Sequence, residues 1–265
     1  MGEVAGPQLP DLPPGATVSA WVGPLGGPPV WTLEPSVAHP AASTMKVHVL
    51  VGYLLAVASG RLQPDDVVVV QSEFASADGR SRFHVDAAND DDRLPWSWRQ
   101  APLRRLAERM ITHSSNLATD LVIERVGLGA VVKIGVAFDG VHVRRWIDDQ
   151  PAKAAGLANT VTAAGLDAVF ARLWRGALLA PTETAMAIDL LSANTWNDEI
   201  PAGLPPGTQV AHKNGWDDGI RHDAGIVLPA GKPPFVVSVL TTGLTDEVAQ
   251  PLIAGVAAWA WSRLG

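Results

Sequence analysis

Cysteine is absent from the chain's 265 residues. That excludes disulfides, thiolate metal sites and a cysteine nucleophile, and leaves the redox compartment open. No stretch approaches the roughly 18 unbroken apolar residues that a membrane span needs. There is no basic run interleaved with aromatics, and a net charge of −7 argues against a general nucleic-acid binder. Tyrosine occurs once against ten tryptophans, and indoles in that number are expected to fill the core and lobe interfaces. Residues 1–15 are rich in Pro and Gly and lack the basic region and apolar core of a secretory signal. A cytoplasmic chain and a mature secreted chain are therefore both compatible with the sequence. At 47% apolar residues, the chain can bury a large core as one compact unit or two closely joined lobes.

The hydrophobic period changes along the chain. Residues 17–22 and 30–33 alternate and flank a Gly/Pro-rich turn, which predicts a hairpin. From Ser43, Val47, Leu50, Val51, Leu54, Leu55 and Ala58 follow helical spacing, with Gly60 where a C-cap is expected. Val49 and Val57 lie off that stripe, so this helix is apolar nearly all round and is expected to be central. Pro102 opens a further helix, a second ends at Gly127, Thr162 is placed to cap a third, and Pro181 opens a fourth. Strand signals return at 208–213, 224–228 and 235–241, and residues 245–264 form a last helix.

This order predicts an α+β fold, an α/β sandwich. One antiparallel sheet is assembled from both chain ends and flanked by helices, with an all-helical lobe inserted. The expected lobes are 1–60 with 205–265, and 61–204, with a ligand cleft between them.

Three short stretches carry the chemistry. Ser43-Thr44-Met45-Lys46 places a hydroxyl and an amine three residues apart on one helical face. A serine needs a base beside it, and lysine serves as one when burial disfavours its ammonium form. A helix start also offers backbone N–H groups to a developing oxyanion. Ser43 is the one serine in the chain with Lys three places on. Ser114-Ser115-Asn116 falls in the break between two helices, where it can cap a helix or aim a hydroxyl and an amide into a cleft. His212-Lys213-Asn214-Gly215 ends a strand, offering either a plain turn or a positive charge with unobstructed backbone donors.

Taken in order, Ser-x-x-Lys, Ser-x-Asn and Lys-x-Gly resemble the motif triple of serine β-lactamases and penicillin-binding proteins. Residues 40–46, 110–116 and 159–162 are similar to class A-like members, as is the layout of nearly the whole chain. The resemblance implies a β-lactamase/transpeptidase-like fold without cofactor or metal. Ser43 would be the acylated nucleophile, Lys46 its base and Ser114 a proton relay. Asn116, Lys213, Asn214 and Gly215 would bind substrate, with the backbone N–H groups of Ser43 and Trp216 as oxyanion hole. The implied partner is a small β-lactam or acyl-D-Ala-like molecule, bound by a monomer with no nucleic-acid partner. A D-Ala-D-Ala peptidase, an esterase and a non-turnover penicillin-binding module would use the same parts.

Three positions depart from the family pattern. Ser115 stands where many relatives carry Asp. Asn214 stands where Thr or Ser offers a hydroxyl, although an amide N–H can also donate. Residues 144–151 contain no Glu, the residue that activates the deacylating water in class A enzymes. Asp148 or Asp149 is the candidate substitute, set against a solvated acidic turn partnering Arg144 and Arg145; slow deacylation is the expectation. Arg221 and His222 are candidates for carboxylate binding, and Trp96 and Trp98 for an aromatic wall. His84, Asp86 and Asp90–Asp92 lack a second His at ligand spacing, so a solvated loop is expected there rather than a metal site.

Overall fold

The structure is a computed structural model and describes residues 6–86, 90, 94–138 and 140–265, of which only the backbone is described at 94 and 95. Strands β1 (Thr17–Pro24), β2 (Trp31–Leu33) and β3 (His39–Pro40) lead into a 3₁₀ turn, Ala42–Met45, and helix α1 (Lys46–Ala58). There follow β4 (Val67–Val69), β5 (Glu73–Ala75), β6 (Arg82–His84), α2 (Leu94–Ser97) and β7 (Gln100–Pro102). The helical middle comprises α3 (Leu103–Thr112), α4 (Asn116–Val126), α5 (Leu128–Val136) and α6 (Gln150–Ala154). After β8 (Thr160–Val161) come α7 (Ala163–Trp174) and α8 (Pro181–Ser192). The chain closes with β9 (Gln209–Asp217), β10 (Ile220–Leu228), β11 (Phe235–Thr242) and α9 (Asp246–Leu264).

The main sheet runs β2-β1-β11-β10-β9 and is antiparallel throughout. The expected union of the two chain ends is the β1–β11 pairing, with Ala20 opposite Val239 and Trp21 opposite Ser238. Alternation along each strand divides the side chains between two cores. Val18, Ala20, Val22, Val237 and Val239 meet Ile253, Val256 and Ala257 of α9. Trp21, Val236, Leu240 and Ile226 belong to the larger core with Leu166 and Phe170 of α7 and the helices beyond. Helix α1 is buried on nearly every side, with only Leu55 among its large apolar residues substantially exposed.

The predicted caps are present: Thr162 Oγ1 accepts from Gly165 N at 3.0 Å, and Pro102 precedes α3, whose Leu103, Leu106, Ala107, Met110 and Ile111 are all buried. The inserted segment is helical in bulk but not wholly so. It carries the two-stranded ladders β4–β7 and β5–β6, and β8 pairs back to β3. Strands of two or three residues leave no measurable alternation in a sequence, and their partners are chosen by the fold.

Candidate active site

The 3₁₀ turn hands Ser43 to the mouth of a cavity of about 660 Å³ and leaves Lys46, one turn on, at the head of α1 with no exposed surface. The turn is tied at both ends. Ala41 N donates to Asn159 O at 2.9 Å, and the Thr44 hydroxyl donates to Ala41 O. Lys46 Nζ donates to the Ser114 carbonyl, to Ser114 Oγ at 3.1 Å and to Asn116 Oδ1 at 2.8 Å. The first two motifs, nearly 70 residues apart, thus meet on one nitrogen. Ser114 adopts a left-handed backbone, φ +58°, a conformation that costs a non-glycine residue energy and persists only where its surroundings hold it. Ser43, Ser114, Asn116 and Trp216 line the same cavity.

The third motif packs through Gly215 against the backbone of the 3₁₀ turn that carries Ser43. A Cβ on Gly215 would lie 2.7 Å from Ser43 N and 3.0 Å from Thr44 N, so β9 and the Ser43 backbone approach as closely as they do only because residue 215 is glycine. Lys213 and Asn214 are fully buried and do not line the cavity. Lys213 Nζ donates to the Asn214 carbonyl at 3.0 Å and to its Oδ1 at 3.2 Å, while Asn214 Nδ2 donates to Glu199 Oε2 at 3.2 Å. The amide N–H expected to face a substrate carboxylate is therefore turned to Glu199. Burial, aided by Asp223, pushes the Glu199 carboxyl up to about 7 against the opposing pull of Arg221.

Arg221, considered as a carboxylate binder, donates to Glu199 and Asp246 and stacks over Trp216. His222 is buried, its Nε2 donating to the Pro40 carbonyl at 2.8 Å and its Nδ1 accepting from Thr241 N at 3.1 Å. The aromatic face of the cavity is Trp216, backed by Trp196 with ring centroids 4.9 Å apart. Trp96 and Trp98 pack against the core instead and line no part of this cavity.

The two candidate aspartates separate. Asp149 is fully buried and caps α6, accepting from Ala152 N, Ser76 Oγ and Ala77 N at 2.7–3.0 Å. Asp148 lines the cavity, with Oδ1 3.3 Å from Asn116 Nδ2. Burial raises its carboxyl above the ordinary range, against the pull of Lys46. Neither sits in a solvated acidic turn, because Asn159 draws the loop inward: its Oδ1 accepts from Arg144 N and Arg145 N, and its Nδ2 donates to Arg145 O.

Beneath that loop lies Asp120, which belongs to none of the three motifs. Its Oδ1 accepts from Ile147 N at 3.0 Å, and complete burial followed by the neighbouring Asp148 charge lifts its carboxyl well above the usual range. Asp at the fifth position of α4, on an otherwise buried face, was the available signal. Ile147 contributes an apolar side chain to the cavity between Arg145 and Asp148. Asp90 also corrects the reading: it is buried against residues 115–117 rather than solvated. Asp91 and Asp92 lie outside the described residues. Among the described residues no cluster of three or more His, Cys, Asp or Glu side chains is arranged to hold a metal, and no helix is long and apolar enough to cross a membrane.

Known proteins share this architecture. The chain is 33% identical over 171 residues to a beta-lactamase of Streptomyces lavendulae, covering 62% of this chain and 56% of that protein. It spans about half the length of the curated relatives it matches first. An ancestral class A beta-lactamase superposes with a TM-score of 0.79 at 22% identity, over 94% of each chain. PBP-A superposes with a TM-score of 0.74 at 23% identity, over 95% of this chain and 92% of its own, and a variant of it has been solved as an acyl-enzyme complex with penicillin-G. These likenesses show the fold. The model described as the beta-lactamase enzyme family matches residues 12–264, and the protein therefore belongs to that family.

Proposed function

We propose that this chain is a serine acyl-transfer enzyme that opens β-lactam or related amide and ester substrates through an acyl-enzyme on Ser43. The observation that carries the reading is the fully buried Lys46 amine bridging Ser114 and Asn116 beside the nucleophile's turn. In the neutral amine, two hydrogens can serve the Ser114 carbonyl and Asn116 Oδ1, leaving a lone pair for a hydroxyl proton. Ser43 Oγ attacks the substrate carbonyl carbon and gives its proton to Lys46 Nζ. As the C–N bond breaks, Ser114 Oγ gives its proton to the departing nitrogen and recovers one from Lys46. The oxyanion is received by the backbone N–H groups of Ser43 and Trp216, and Lys213, which is buried and does not line the cavity, acts on a substrate carboxylate through its charge and not by contact.

The cleft takes one wall from residues 40–45 and 216–220 and the other from residues 114–160. That arrangement favours the division into lobes 1–60 with 205–265, and 61–204.

Water must then hydrolyse the ester. Asp148 is the candidate base, because it faces the cavity and contacts Asn116, whereas Asp149 is committed to capping. The Asp148 side chain is shorter than the family's glutamate and must start closer to reach the same water, which makes deacylation the slow step. The apolar Ile147 in that wall and the likeness to PBP-A favour, as a second reading, a penicillin-binding module that stays acylated.

Intact-mass spectrometry with benzylpenicillin tests both. A Ser43 adduct that decays slowly with release of product supports the hydrolase, and one that persists supports the module. Absence of any adduct or product, with β-lactam, D-Ala-D-Ala peptide and p-nitrophenyl ester alike, would refute acylation at Ser43.

A further inference from the structure

We propose that Asp90 is a positioning residue for the Ser114–Asn116 turn, supplying from outside that turn the carboxylate that many relatives carry at position 115. It is 5% exposed, and its two oxygens receive four donors. Oδ1 accepts from Asn116 N at 3.0 Å. Oδ2 accepts from Ser115 Oγ at 3.0 Å, Leu117 N at 3.4 Å and Trp96 Nε1 at 2.9 Å. Ser115 Oγ in turn accepts from Ala118 N at 3.1 Å.

The capping of α4 is thereby divided. Ser115 satisfies the third free N–H of the helix and Asp90 the first two, where a negative charge is also favoured by the helix dipole. The consequence reaches the cavity. Ser114 is held in its left-handed conformation between Lys46, which grips its carbonyl and hydroxyl on one side, and the anchored start of α4 on the other. A carboxylate that fixes the backbone of Asn116 therefore fixes the direction of the Ser114 hydroxyl and the Asn116 amide without touching substrate. A serine at 115 suffices because its hydroxyl donates to Asp90 instead of carrying the charge itself.

The proposal rests on acylation at Ser43 for its kinetic test, and amide exchange tests it independently. In Asp90→Ala, acylation of Ser43 by benzylpenicillin should slow about 10- to 100-fold, the scale of a small misplacement of catalytic groups. Exchange at the Asn116 and Leu117 amides should accelerate while α1 stays protected. Asp90→Asn, which keeps one carbonyl acceptor, should fall between it and the native protein. Adding Ser115→Asp to Asp90→Ala should recover much of the lost rate.

Acylation within about twofold of native in Asp90→Ala, unchanged exchange at residues 116 and 117, or no recovery on adding Ser115→Asp would overturn the assignment. So would exchange that accelerates throughout the molecule in both Asp90 variants, which marks a general structural role. If the native protein forms no adduct, the functional reading fails, and the exchange measurement still decides the role of Asp90.

Discussion

A lysine with no exposed surface is costly unless its nitrogen is engaged, and here three acceptors surround it. Replacing Lys46 by Met keeps the apolar stem and removes the proposed base, so acylation should fall by about 10²–10⁴. The rate of adduct growth measures this, and near-native growth would remove Lys46 from the mechanism. Asp148 makes a prediction of sign. A base must be ionised to act, and burial lifts this carboxyl above its ordinary range. Decay of the adduct should therefore accelerate with rising pH along a limb displaced above about 3.9, and Asp148→Asn should abolish the limb. A decay rate independent of pH would dismiss Asp148 as the base. Asp148 and Asp149 look equivalent in the sequence. Only the backbone path, drawn inward by Asn159, turns one to the cavity and the other to a helix start.

At the scale of elements, two predictions concern packing and burial. Gly215→Ala sets a methyl group against the amides of Ser43 and Thr44. Either β9 or the 3₁₀ turn must shift, at about 1–3 kcal/mol, and acylation should suffer more than the melting temperature does. Acylation unaffected beside native stability would contradict the close approach. On α7, Asp167 is drawn up to about 7 by burial, which outweighs the pull of Arg175. Folding therefore favours its protonated form, and its contribution to stability declines as pH rises from about 4 to about 7. Asp167→Asn, neutral at every pH, should be more stable than native at pH 8 and lose that advantage as pH falls through 7. Paired thermal melts across that range check it, and an advantage that grows on acidification would refute the sign.

The elements themselves were legible where a pattern runs long enough. The stripes of α1 and α3, the cap at Thr162 and the strands of the main sheet follow from period and capping chemistry. The ladders β4–β7 and β5–β6 and the short helices α2 and α6 are too brief to leave such a pattern. Asp90 looked like part of a solvated acidic run. Burial of a carboxylate depends on donors brought from elsewhere, here Trp96 and the start of α4, and nothing adjacent to Asp90 announces them.

For the whole molecule, the sheet closes only when the two ends of the chain meet. β1 lies inside it, between β2 and β11, and contributes side chains to both cores. A chain beginning at residue 25 should lose cooperative unfolding and Ser43 acylation together, because β11 loses its partner and α9 part of the surface it covers. Cooperative melting of that truncated chain would show the sheet to be less interdependent than its pairing implies.

By itself the sequence determined which chemistry was available: a serine and a lysine at helical spacing, no cysteine, no loop glutamate, and strands at both ends around a helical middle. Those are properties of residue type and local period, which a chain carries before it folds. The tertiary structure alone decided which groups share a cavity, that Asn214 serves Glu199, that Asp148 rather than Asp149 faces the cleft, and that Asp90 anchors the Ser114–Asn116 turn. Each of these depends on contacts between segments distant along the chain, and such contacts exist only after the backbone has chosen its path.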